Sequence, residues 1–154
     1  MSHGTLRAAR RCTGGEAADG NHTRREDLED QLWPLCEKVA RQVRREEVAG
    51  RVATLKLRTP DFKVHTRRRT LPVPTQTAQT LFQVARELLA AEPPGRAYRL
   101  IGAGLTEFVP AAGAADDFFA GDERRALKSE TAIDALRGKF GLGAVVTGRA
   151  LKSK

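Results

Sequence analysis

Near residue 50 the spacing of apolar residues switches from a helical period to a strand period, and that switch narrows the folds open to the chain. Leu28, Leu32, Leu35, Val39 and Val43 recur at intervals of three and four, which gathers them on one face of a helix. Pro34 is compatible with a first helical turn, so the spacing predicts a regular helix starting at Trp33 or Pro34. Gly50 is suited to end it. From Arg51 to Thr59 the pattern alternates, with Ala53, Leu55 and Leu57 on one side and Thr54, Lys56 and Arg58 on the other. Such alternation marks a strand with one buried and one wet face.

Pro60-Asp61 signals a turn, and a second strand follows from Val64 to Val73, closed by Pro72 and Pro74. The two strands pair as an antiparallel hairpin. Thr75 or Thr77 is placed to cap a second helix whose stripe is Leu81, Val84, Ala85, Leu88 and Leu89, broken by Pro93-Pro94-Gly95. Tyr98 to Leu105 reads as a further strand, with Gly102 and Gly104 permitting close approach. The expected class is α+β: an antiparallel sheet of three to four strands with two helices on one face, its other face left to solvent or a ligand. This domain spans residues 27–109. An N-terminal arm, 1–26, lacks an apolar period and is expected to be poorly ordered. Residues 110–154 read as a linker followed by a short helix, Glu123 to Lys139, carrying Leu127, Ile133, Leu136 and Phe140 and ending at Gly141.

Charge says what the open face is for. The chain holds 27 Lys and Arg against 19 Asp and Glu, a formal net charge of +8, which favours a polyanionic partner. An anionic membrane would call for a basic amphipathic helix rich in Trp and Phe, whereas aromatic residues make up only 5% of the chain. No signal-like apolar segment or membrane-length run occurs, so the expectation is a soluble, cytoplasmic monomer with no membrane partner. Cys12 and Cys36 have the spacing of neither a zinc site nor a disulfide framework, and Cys36 is expected to pack as a small hydrophobe.

Between Arg51 and Thr75, seven cations (Arg51, Lys56, Arg58, Lys63, Arg67, Arg68 and Arg69) meet one anion, Asp61, so this stretch carries +6 of the total. No acid nearby in sequence pairs with them, and cations side by side on neighbouring strands repel unless something neutralises the row. A phosphate backbone would do so and release counterions, with the hydroxyls of Thr54, Thr66 and Thr70 as further donors. The competing reading is a solvated face that protects a sheet edge, which usually mixes charge signs. The hairpin contains no Asn or Gln for bidentate base contacts, so binding independent of base sequence is expected. No catalytic centre is visible: His3, His22 and His65 have neither triad nor metal spacing, and Asp116-Asp117 has no rigid carboxylate partner.

Taken in order, Gly50-Arg51, Leu55-Lys56-Leu57-Arg58, Asp61-Phe62, Thr66-Arg67 and Thr70-Leu71-Pro72 with Pro74-Thr75 resemble the little-finger domain of Y-family polymerases of the DinB, or DNA polymerase IV, type. The resemblance continues through Ala85-Arg86, Leu88-Leu89 and Arg99-Leu100-Ile101-Gly102-Ala103-Gly104, and through Ile133 to Arg137 with Lys139-Phe140-Gly141. It implies a four-stranded sheet with two helices on one face, the open face lying along primer–template DNA during synthesis past damaged bases. It makes Arg51, Lys56, Arg58, Arg67, Arg68 and Arg69 candidate phosphate ligands, assisted by Thr66 and Thr70. Where this chain has Arg68 the family usually has Ser. The family's first strand precedes the first helix, and Gly20 to Arg24 keep little of it, so that strand is expected to be missing or frayed. The palm that binds the family's magnesium is not in this sequence, so the chain is expected to need no cofactor and to be catalytically inert alone. Asp117-Phe118-Phe119 stands where many members carry a motif for the replicative sliding clamp, without its leading Gln and Leu. The alternatives are a protein-interaction module, for the clamp or a polymerase partner, and a non-functional gene remnant. The phosphate-rail reading requires that Arg58, Arg67 and Arg69 not be neutralised by the protein's own carboxylates.

Overall fold

The structure, a computed structural model, describes residues 6–11, 25–93, 95–111 and 121–140. The elements run β1 (Leu6–Arg11), α1 (Arg25–Arg45), β2 (Val48–Arg58), β3 (Val64–Thr75), α2 (Ala78–Ala90), β4 (Leu100–Pro110) and α3 (Gly121–Phe140). All four strands join one antiparallel sheet in the order β1-β4-β2-β3. The class is α+β, as the alternation implied. The fourth strand is β1, from the arm that was expected to lack regular structure. It pairs with β4 from Leu6 opposite Leu105 to Arg11 opposite Leu100. The reason is non-local: without it the N–H and C=O groups along that side of β4 would be an unpaired edge.

α1 and α2 lie against one side of the sheet and close a single core. Leu28, Leu32, Leu35, Cys36, Val39 and Val43 from α1 meet Leu81, Phe82, Ala85, Leu88 and Leu89 from α2 over Ala53, Leu55, Leu57, Ile101, Ala103 and Leu105. α1 begins at Arg25, more than two turns before the expected start, with Pro34 inside it. An interior proline costs about 3 kcal/mol. Leu28 and Leu32 are both essentially sealed from solvent, and each contributes about 1.5–3 kcal/mol, so packing outweighs the break.

The same tertiary logic moves two other boundaries. α1 stops at Arg45, and Gly50 lies within β2, where an added Cβ would come within 2.7 Å of the Leu105 Cβ. β3 continues past Pro72 and Pro74 to Thr75. It is an edge strand, where proline's missing donor faces no ladder. Its register jumps there, from Val52 opposite Thr70 to Gly50 opposite Thr75, so residues 71–74 form a bulge in which Leu71 and Val73 stay buried. Thr77 is the N-cap of α2, its hydroxyl accepting from the Thr80 N–H at 3.4 Å.

α3 is attached by polar groups. Its apolar residues form no buried stripe, and Leu136 is 43% exposed. Glu123 instead accepts hydrogen bonds from the hydroxyls of Thr75, Thr77 and Thr80, each at 2.8 Å, and from the Gln76 N–H at 2.8 Å. Glu130 accepts from the N–H groups of Ala78 at 2.8 Å and Gln79 at 3.1 Å, donors that the first turn of any helix leaves unpaired. Arg44 of α1 donates to Asp134 at 2.5 and 2.9 Å, to Glu130 at 2.6 Å and to the Gln76 carbonyl at 2.9 Å. Burial pushes the Glu130 carboxyl above its ordinary range, against the opposing pull of the Ala78 and Gln79 N–H groups and Arg44. Burial also works against the Arg44 charge, but Asp134 and Glu130 outweigh it and raise its pKa.

Candidate nucleic-acid interface

Strand alternation sorts the candidate ligands onto two sides. Cross-strand partners in an antiparallel ladder project to the same face. Arg68, Thr66, Thr70 and Val64 of β3 stand opposite Thr54, Lys56, Val52 and Arg58 of β2, on the side away from the helices. Arg67, Arg69 and His65 stand opposite Leu55, Ala53 and Leu57, which belong to the core side. Six of the nine candidates therefore share the open face: Thr54, Lys56, Arg58, Thr66, Arg68 and Thr70. Arg51 is exposed and lies at the bulge between the Gly50 and Val52 pairings.

Arg67 and Arg69 reach over the sheet edge to α2 and its C-terminal turn. Arg67 donates through Nε to Glu92 at 2.8 Å, a carboxylate only 5% exposed. Arg69 is hydrogen-bonded to Glu87. Arg68 meets Glu107 at 3.2 Å. The condition that Arg58, Arg67 and Arg69 escape the protein's own carboxylates therefore fails at Arg67 and Arg69, Arg68 is paired as well, and the rail as read from the sequence is corrected to the open face alone. The partners of Arg67 and Arg69 lie 25 and 18 residues away in sequence, beyond any local pattern. Lys56, Arg58 and Arg51 do remain without a carboxylate partner among the described residues, and the Arg58 Nε is buried with no acceptor.

Thr54 and Lys56 stand opposite Gly104 and Gly102 of β4, two buried positions that carry no side chain. At the distal end, the β2–β3 turn is closed by Thr59 N–H to the Lys63 carbonyl at 3.0 Å and Phe62 N–H to the Thr59 carbonyl at 2.9 Å. Phe62 is exposed and in the left-handed region at φ 65°, and the Arg99 guanidinium lies over its ring at 4.2 Å. Among the described residues no three His, Cys, Asp or Glu side chains are grouped to hold a metal. No described helix is long and apolar enough to cross a membrane. His3, His22, Asp116 and the Asp117-Phe118-Phe119 segment lie outside the described residues.

Residues 18–118 match the family model described as the impB/mucB/samB family C-terminal domain. A DNA polymerase IV of Caulobacter vibrioides is 82% identical over 131 residues, 85% of this chain and 32% of that protein. One from Brucella melitensis is 43% identical over 123 residues, 79% of this chain and 28% of that protein. The chain thus spans about a third of the length of these relatives. Among solved structures, an insertion ternary complex of Dbh DNA polymerase matches with a TM-score of 0.57 at 13% identity, covering 70% of this chain and 29% of that one. A complex of the β-clamp processivity factor and the little finger domain of PolIV matches at 0.50 and 20% identity, covering 70% of this chain and 91% of that one. At such identities the likeness is one of fold, and the fold is the sheet-and-two-helix module called the little finger. The chain belongs to the impB/mucB/samB family, as the C-terminal domain of a Y-family polymerase of the DNA polymerase IV type.

Proposed function

We propose that this domain grips primer–template DNA by its phosphates, independently of base sequence, as the little finger of a DNA polymerase IV acting in damage bypass. The observation that carries the reading is the open face itself, where Lys56, Arg58 and Arg68 stand with Thr54, Thr66 and Thr70. Cations and hydroxyls gathered on one face can meet successive phosphates, and each phosphate engaged releases condensed counterions. The family supports the role, and one of its solved relatives is an insertion ternary complex of a DNA polymerase. Catalysis belongs to other parts of such a polymerase, and we place the domain in the cytoplasm as a monomer.

The test is duplex binding by the full chain across a salt series. Replacing Lys56 and Arg58 together by Glu is expected to weaken binding at least tenfold at low salt and to flatten the log–log salt slope by about 1.8, two contacts' worth. Arg67→Glu with Arg69→Glu is expected to cost stability at the α2 contact and to leave the slope nearly unchanged. If the second pair reduces binding and the first does not, the open face is not the interface. A second partner is favoured by one structural relative, a little finger domain of PolIV in complex with the β-clamp processivity factor. Docking on a sliding clamp through Asp117-Phe118-Phe119 would be lost in capture assays with Phe118→Ala plus Phe119→Ala, with or without nuclease.

A further inference from the structure

The four strands are nearly free of acid. Across β1, β2, β3 and β4 there are nine Lys and Arg and one carboxylate, Glu107. That one acid is set against the open face. By alternation with Leu105 and Thr106, residue 107 would point to the helix side, yet its carboxylate reaches Arg68 at 3.2 Å. The backbone makes the difference: Glu107 holds a φ of 57°, in the left-handed region where residues with a side chain are disfavoured. A glycine would adopt that conformation without strain. The same backbone turn lets Phe108 pack against the core, and it brings the one negative charge of the four strands to the open face beside Arg68. Both partners are more than half exposed, so the contact adds little to stability.

We propose that Glu107 is an affinity-limiting residue of the DNA surface, occupying the Arg68 guanidinium as an internal stand-in for a phosphate. DNA must displace it to gain Arg68, and its charge opposes the nearest phosphates. The domain then holds the backbone through Lys56 and Arg58 while Arg68 is rationed, which keeps the grip releasable as the duplex advances. This rests on the phosphate-rail reading above and deepens it. No bond is made or broken; the exchange is of one anion for another at the same cation.

Duplex affinity of the full chain decides the matter, with thermal unfolding as a control for folding. Glu107→Gln keeps the size and the strained backbone but removes the charge. It is expected to tighten binding about fivefold at low salt and to steepen the salt slope by about 0.9 as Arg68 joins the contact. Arg68→Ala is expected to erase the gain in the Glu107→Gln background. Glu107→Gly is expected to raise the unfolding temperature as well as the affinity. Unchanged affinity in Glu107→Gln, with binding still lost in the Lys56 and Arg58 charge reversal, overturns the role of Glu107 and leaves the interface standing. Indifference of binding to all these changes removes the interface and the proposal together.

Discussion

At position 50 a side chain is excluded by its neighbour, because a Cβ would stand 2.7 Å from the Cβ of Leu105. Leu105 is fully buried, so the clash is with packed core rather than a mobile side chain. Gly50→Ala is expected to cost about 1–3 kcal/mol, seen as a lower urea midpoint at constant slope; an unchanged midpoint would show that the sheet yields there. The three consecutive arginines teach a different lesson at this scale. Residues 67, 68 and 69 cannot all face one way in a strand. Their charge was visible in the sequence, but which of them turn outward depends on the register with β2.

At the scale of elements, the stripes of α1 and α2 were legible because every core-facing position recurs within a few residues of the last. The start of α1 was not, since Pro34 argues locally against a helix that Leu28 and Leu32 secure by burial. α3 was legible as a helix, but not in its mode of attachment. Its contacts join Glu123, Glu130 and Asp134 to groups 43 to 90 residues away, and no local period marks such pairs. Arg44→Ala would strand Glu130 and Asp134 with their nearest cation gone. The expected loss is about 3 kcal/mol, with increased proteolysis or hydrogen exchange within 121–140 ahead of global unfolding. Exchange that is raised uniformly, or not at all, would mean that Arg44 does not anchor α3.

For the whole molecule, the consequence of that anchoring is a pH dependence. Burial raises the Glu130 carboxyl, and burial raises Glu37 against the pull of Arg137. A carboxyl whose folded pKa is raised contributes stability that is fully present below its unfolded pKa and is lost as pH rises through the folded value. Asp61 runs the other way, lowered chiefly by the Thr59 hydroxyl, so its contribution fades only as pH falls through its depressed value. Acidification from neutral towards about pH 5 is therefore expected to raise the unfolding temperature slightly before acid unfolding sets in. Glu130→Gln should flatten that rise. A steady fall over the same range, equal in both proteins, would contradict it.

The amino-acid sequence by itself determined the class of fold, the two helical stripes, the core side of β2 and the concentration of positive charge on the hairpin. Each of these is written in the repeat distance of neighbouring residues, and burial of apolar surface enforces it whatever the rest of the chain does. Tertiary structure alone decided that β1 completes the sheet, which arginines face outward, and which carboxylates meet them. Those choices turn on strand register and on partners brought together from distant parts of the chain. A shift of one residue in pairing would exchange the two faces of a strand, and nothing in the local pattern of Thr66 to Thr70 resists that shift; the packed core beneath β2 and β4 does.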